Sequence, residues 1–130
     1  EHSLQAAVRI TGSVDYGEVP KYLLDCDTFI MNRDDSNFAK YGYPTKLGEY
    51  FACNRSVLLS ESGGFSKDFI HLQEAIKYQV NNPRDLADKI VFRYANEEQC
   101  ASIALAGYQY AKKHFSKENV SEVFYKSVFE

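Results

Sequence analysis

The sequence predicts an α/β domain in which a parallel sheet is covered by helices on both faces, followed by a helical last third. Three observations predict it. Short runs of β-branched and apolar residues alternate with helical patterns through about the first eighty residues, the order a parallel sheet requires. Three capped helical patterns then succeed one another with no strand between them. The chain also has the material for a packed core, since 45% of its 130 residues are hydrophobic, with ten Tyr and nine Phe among them. That length suits a single domain over 1–130.

Each element has a local reason. Ala6 to Val14 alternates, is rich in β-branched residues and closes on Gly12 and Ser13, which predicts a first strand. Asp15 followed by Glu18 marks a helix start, and Val19, Leu23 and Leu24 supply its apolar stripe. Asp27-Thr28-Phe29-Ile30-Met31 reads as a buried second strand. Asn32 to Tyr43 is polar and reads as a loop, and Pro44 to Cys53 as a helix. Ser56-Val57-Leu58-Leu59-Ser60 is a third strand, Gly63-Gly64 a turn, Phe65 to His71 a short helix or irregular piece, and Ala75 to Val80 a weaker fourth strand. Asn82-Pro83 opens a helix that runs to about Tyr94, since Pro suits a first helical position. Asn96 caps the next, with Glu97 and Glu98 in its first turn and Lys112, Lys113 and His114 in its last, complementing the helix dipole at both ends. Ser116 caps the final helix, whose expected buried face is Val120, Val123, Phe124 and Val128.

Composition excludes several classes. Charged residues make up 25% and the net charge is -3, which argues against a general nucleic-acid binder, whose affinity rests on dense Lys and Arg. Cys26, Cys53 and Cys100 are odd in number and widely spaced, so they read as reduced residues of a cytoplasmic protein. No Cys-x-x-Cys or His-x-x-x-His pair supports a metal. No apolar run of roughly eighteen residues encodes a spanning helix, and no secretory pattern opens the chain. The start at Glu1-His2-Ser3 lacks a Met, and the expectation is a piece of a longer protein.

The stretch from Tyr41 to Ala52 carries the chemistry. In the present reading, a loop ends at Tyr43 and a helix begins at Pro44. The unpaired N–H groups of a first helical turn, with the positive end of the dipole, can hold a phosphate. Lys46 sits in that turn, where a cation disfavours the helix alone and makes sense beside an anion. Glu49, one turn on, can accept hydrogen bonds from two neighbouring sugar hydroxyls. Phosphate and ribose together suggest a nucleotide. Plainer readings stand beside these: Glu49 and Lys46 as solvated helix residues, Tyr43 as packing rather than a base-stacking surface, and Arg33 as paired with Asp34 or Asp35 rather than with phosphate. Asp34 and Asp35 are neighbours that point apart, so a solvated loop explains them better than acid–base work. His71 has no evident partner, and His114 complements a helix dipole.

The runs Ile10-Thr11-Gly12-Ser13-Val14, Asp27-Thr28-Phe29-Ile30, Tyr43-Pro44-Thr45-Lys46-Leu47-Gly48-Glu49-Tyr50, Ser56-Val57-Leu58-Leu59-Ser60 and Gly63-Gly64 together resemble the C-terminal, donor-binding domain of a GT-B glycosyltransferase of the family 4 or group 1 type. Ala111-Lys112-Lys113-His114-Phe115-Ser116 resembles that family's closing helix and junction. The resemblance runs from about Val8 to the end. It implies a truncated Rossmann-like domain that binds a nucleotide-diphosphate sugar, while an N-terminal domain of the parent brings the acceptor. Carried onto this chain, Glu49 would bond the ribose, Thr45 and the backbone at Lys46 and Leu47 would face the diphosphate, Gly12 and Ser13 would lie by the cleft, and Gly63 and Gly64 would border it. No metal or other cofactor is implied.

Two departures qualify the match. Many members carry an acid eight positions before the one matched by Glu49, and here that position is Tyr41. Arg33, Ser36 and the run Tyr41 to Lys46 resemble a subtype that lacks it. The family's upstream Arg and Lys, and the domain's first strand and helix, would precede Glu1. The Val8 strand is then expected to pair with the Thr28 strand, or a second copy to fill the gap, because an open sheet edge invites association. The function implied is hexosyl transfer from a nucleotide-diphosphate sugar to a glycan or lipid-linked acceptor, in bacterial surface-polysaccharide biosynthesis, by a parent that sits in the cytoplasm or at its membrane face; the chain by itself is expected to be inactive. The alternatives are a non-catalytic nucleotide-binding or protein-contact module of the same fold and a sugar-nucleotide epimerase.

Overall fold

A computed structural model describes residues 6–129. Its elements are α1 (Val19–Leu24), β1 (Thr28–Met31), α2 (Asn37–Tyr41), α3 (Lys46–Ala52), β2 (Ser56–Ser60), β3 (Ile76–Tyr78), α4 (Pro83–Ala95), α5 (Glu97–His114) and α6 (Lys117–Phe129), with 3₁₀ turns at Tyr16–Glu18 and Phe65–Asp68. The opening Glu1-His2-Ser3 lies outside the described residues.

The sheet is parallel, in the order β1-β2-β3, with Phe29 opposite Val57 and Leu58 opposite Ile76. All five residues of β2 are buried, as expected of a central parallel strand covered on both faces. Its alternating side chains divide the core. Val57 and Leu59 join Phe29, Met31, Leu47 and Phe51 on one face. Leu58 joins Ile76, Tyr78, Cys100 and Ile103 on the other, with Leu86 and Ile90 of α4 packed against them. The Phe29 ring stacks on that of Tyr50 at 4.4 Å between centroids, fixing α3 to β1. On α5, Gly107 lets the helix come so close that a Cβ there would lie 2.6 Å from the Phe51 ring and 2.8 Å from the Glu74 carbonyl oxygen.

Four sequence expectations are corrected. Ala6 to Val14 forms no strand and does not pair with β1; Ile10 is 89% exposed. The alternation in that segment is genuine, but a strand needs an edge to bond to, and the segment never reaches that of β1. The loop from Asn32 to Tyr43 contains a helix, α2, because Ser36 caps it: its hydroxyl accepts from the Ala39 N–H at 3.2 Å. Asn96 does not cap α5 with its side chain, which donates instead to the Phe92 carbonyl at 2.8 Å. The apolar face of α6 is not buried; Phe124 is 64% exposed, and Val120, Val123 and Val128 are exposed as well. Ser116 does cap α6, accepting from the Asn119 N–H.

Candidate functional site

The carboxyl ends of the three strands lie along one edge of the sheet, and the segment after β1 is tied to all of them. The Arg33 N–H donates to the Ser60 hydroxyl oxygen at 2.9 Å, the Ser62 hydroxyl donates to the Asp34 carbonyl, and the Tyr78 hydroxyl donates to Asn32 Oδ1 at 2.9 Å. These bonds anchor a segment that is mostly exposed. In parallel sheets such an edge is where ligands bind. Ser36 organises the far side: its N–H and hydroxyl both donate to the Asp34 carboxylate, at 3.1 and 2.6 Å, and these bonds hold that carboxyl below its ordinary pKa.

A cleft of about 580 Å³ opens there, walled by Asn32, Arg33 and Ser36 on one side and by Tyr43, Thr45 and Lys46 on the other. Thr45 is already in helical conformation as the residue before α3. The regular helix runs from Lys46, two residues after Pro44, and the Pro44 carbonyl accepts from the Leu47 N–H at 3.0 Å. That bond uses the Leu47 amide, and the Leu47 side chain is fully buried. The N–H groups of Thr45 and Lys46, at the start of this turn, donate to no other backbone group among the described residues. Thr45, Lys46 and Glu49 are all exposed, so no side chain smothers this end of the helix.

Glu49 does not line that cleft. It lines an adjoining groove of about 660 Å³ between α3, α5 and α6, together with Tyr108, Lys112, Phe115 and Ser116. Tyr43 and Thr45 wall both spaces, which makes the two neighbours. Tyr43 is a packing residue as well, with edge contacts to Phe65 and Phe115 at 6.0 and 5.8 Å. Burial, then the neighbouring Tyr110 and Asp68, pushes its phenol up to about 12.

The remaining sequence candidates divide. Arg33 lines the cleft, but its guanidinium donates to the Phe38 carbonyl at 3.3 Å and lies over the rings of Phe38 and Phe65, at 5.8 and 5.7 Å from their centroids. It braces α2, and its hydrogen bond goes to neither Asp34 nor Asp35. Gly63 and Gly64 border the C-terminal end of α2 and line a separate hollow, not this cleft; the Gly64 N–H donates to the Lys40 carbonyl at 3.2 Å. Gly12 and Ser13 fall in the exposed segment outside the sheet and line neither space, because the strand meant to carry them does not form. Lys112 was missed: at the end of α5 it reads in sequence as a dipole complement, and only the packing of α5 on α3 brings it to the groove that Glu49 lines. Among the described residues no three His, Cys, Asp or Glu side chains group as a metal would need, and no helix is long and apolar enough to cross a membrane.

The family model of glycosyl transferases group 1 matches residues 1–110. The chain belongs to this family. An uncharacterized glycosyltransferase of Methanocaldococcus jannaschii, MJ1178, is 24% identical over 106 residues, which is 82% of this chain and 29% of that protein. The chain thus spans less than a third of the curated relative it matches. Among solved structures, HepE of Anabaena in complex with UDP-glucose superposes with a TM-score of 0.75 at 16% identity, over 85% of this chain and 29% of that one. The C-terminal domain of the group 1 protein LpcC from Francisella tularensis gives 0.70 at 16% identity, over 83% of this chain and 53% of that one. The group 1 chain has the α/β fold of a GT-B C-terminal domain, the fold that the motif resemblance implied.

Proposed function

We propose that this domain holds the nucleotide-diphosphate sugar of a hexosyl transfer. The observation that carries the reading is that Thr45 walls two neighbouring spaces: one is lined by Thr45 and Lys46, whose N–H groups donate to no other backbone group among the described residues, the other by Glu49. A diphosphate in the first places an attached ribose towards the second. The chemistry asked of this half is electrostatic. Oriented amides and an ammonium bear the charge that grows on the diphosphate as the sugar leaves, and fixed dipoles do this without reorganising. HepE, of the same fold, has been crystallised with UDP and with UDP-glucose, which makes a uridine diphosphate the first ligand to try.

A ligand bound only by the folded state raises the melting temperature. UDP and UDP-glucose are expected to do so for this chain, and Glu49→Ala to lose most of the shift while inorganic pyrophosphate binding survives. An unchanged UDP response in Glu49→Ala would remove the ribose role. A second reading, a binding module without transfer, is favoured by one observation: Tyr41, at the position where many members carry an acid, is 89% exposed and offers no carboxylate. Hexose release from the donor by the longer protein separates the two.

A further inference from the structure

Beside the C-terminal end of α2 lies a trough of about 610 Å³ that shares no lining residue with the donor cleft and that the donor reading does not use. Lys40, Lys67 and Lys77 line it, with Glu61 as the single lining carboxylate. Three lysines lining one hollow are unexpected on an acidic chain, because like charges held together repel. Their positions are built to different degrees. The Lys77 side chain is only 14% exposed; its ammonium donates to the Phe69 carbonyl at 3.3 Å and pairs with Glu61 at 3.7 Å. Lys40 pairs with Asp35 at 3.4 Å, a residue outside the lining. Lys67, exposed in the 3₁₀ turn, has no ion pair among the described residues.

The two glycines at the edge of this hollow have different causes. Gly63 is required by the fold: its φ is +73° and a Cβ would meet the Ala39 carbonyl oxygen at 2.8 Å. Gly64 is not. Its φ and ψ are -66° and -41°, open to any residue, and nothing lies within 4 Å of where its Cβ would project. Neither conformation nor packing accounts for the missing side chain; close approach of a ligand to the backbone would.

We propose that this trough is a second anion site, separate from the donor cleft, which takes a phosphate or pyrophosphate group. Lysines suit such a group as mobile point charges that several oxygens can share.

The test is a titration of the isotopically labelled chain with inorganic pyrophosphate, followed at backbone amides by NMR, with and without saturating UDP. The Gly64 and Lys67 amides are expected to shift and saturate, UDP is expected to leave that response in place, and the exposed pair Lys40→Gln/Lys67→Gln to weaken it about tenfold, as the loss of charge-assisted bonds would. Glu49→Ala should not alter it. Shifts confined to Thr45 and Lys46, no saturable response, or loss of the response in UDP would overturn the proposal. Failure of UDP to bind with the pyrophosphate response intact would sink the donor reading and leave the anion site standing.

Discussion

Gly107→Ala sets two opposing effects against each other, and the structure decides between them. Ala is a better helix former than Gly by about 1 kcal/mol, so within an isolated α5 the change stabilises. In the folded chain the new methyl carbon would lie 2.6 and 2.8 Å from the Phe51 ring and 2.8 Å from the Glu74 carbonyl oxygen. Carbon contacts are favourable near roughly 3.5–4.0 Å, so α5 must retreat by about 0.7 Å or more. Neither obstacle yields cheaply: the Phe51 side chain is fully buried and the Glu74 atom is backbone. Overpacking of this kind costs about 1–3 kcal/mol, with the upper part of the range expected where three contacts fail at once. After the helix gain is subtracted, a net loss of about 1–2 kcal/mol remains, or a fall in Tm of roughly 3–10 °C. Urea denaturation and calorimetry measure it. Because Phe51 belongs to α3, which carries Lys46 and Glu49, UDP affinity should fall with it. A Gly107→Ala chain as stable as the parent would refute the reasoning, since it would mean that α5 does not press on α3 as described.

Two further outcomes follow from the same structure. Phe124→Ser on α6 should change stability by less than about 0.5 kcal/mol, because the ring is 64% exposed; a loss above about 2 kcal/mol in urea denaturation would show the helix packed as its sequence suggests. His71 accepts the Lys77 N–H through Nδ1 at 2.9 Å, and burial, then the charge of Lys89, holds its pKa below the ordinary 6.5. The unfolded chain then binds the proton first on acidification, so stability is full above pH 6.5 and falls as the pH drops below it. His71→Gln should flatten that part of a Tm–pH profile; an identical slope in both chains would contradict it.

Much of this architecture was legible in the sequence, for reasons that are local. Thr28–Met31 and Ser56–Ser60 are apolar runs between turn signals, and Asn82-Pro83 and Ser116 are caps whose side chains do what the sequence implies. Two of the failures are cases in which a pattern needs a partner to become structure. Ala6 to Val14 alternates like a strand yet meets no edge, and the stripe on α6 is amphipathic yet meets no surface. The small helix α2 was hidden by its polarity, its cap visible only once Ser36 is seen bonding both Asp34 and Ala39. At the site, Pro44 announced the helix and the exposed Thr45, Lys46 and Glu49 followed from it. That Arg33 braces α2 between two Phe rings, and that Leu47 uses its own amide, depend on packing and turn geometry that spacing does not encode.

A crystal structure of this chain grown with UDP would test the central claim most directly. The account predicts diphosphate oxygens against the Thr45 and Lys46 amides and ribose hydroxyls on the Glu49 carboxylate. Ordered UDP elsewhere on the fold, with Glu49 left in solvent, would contradict it.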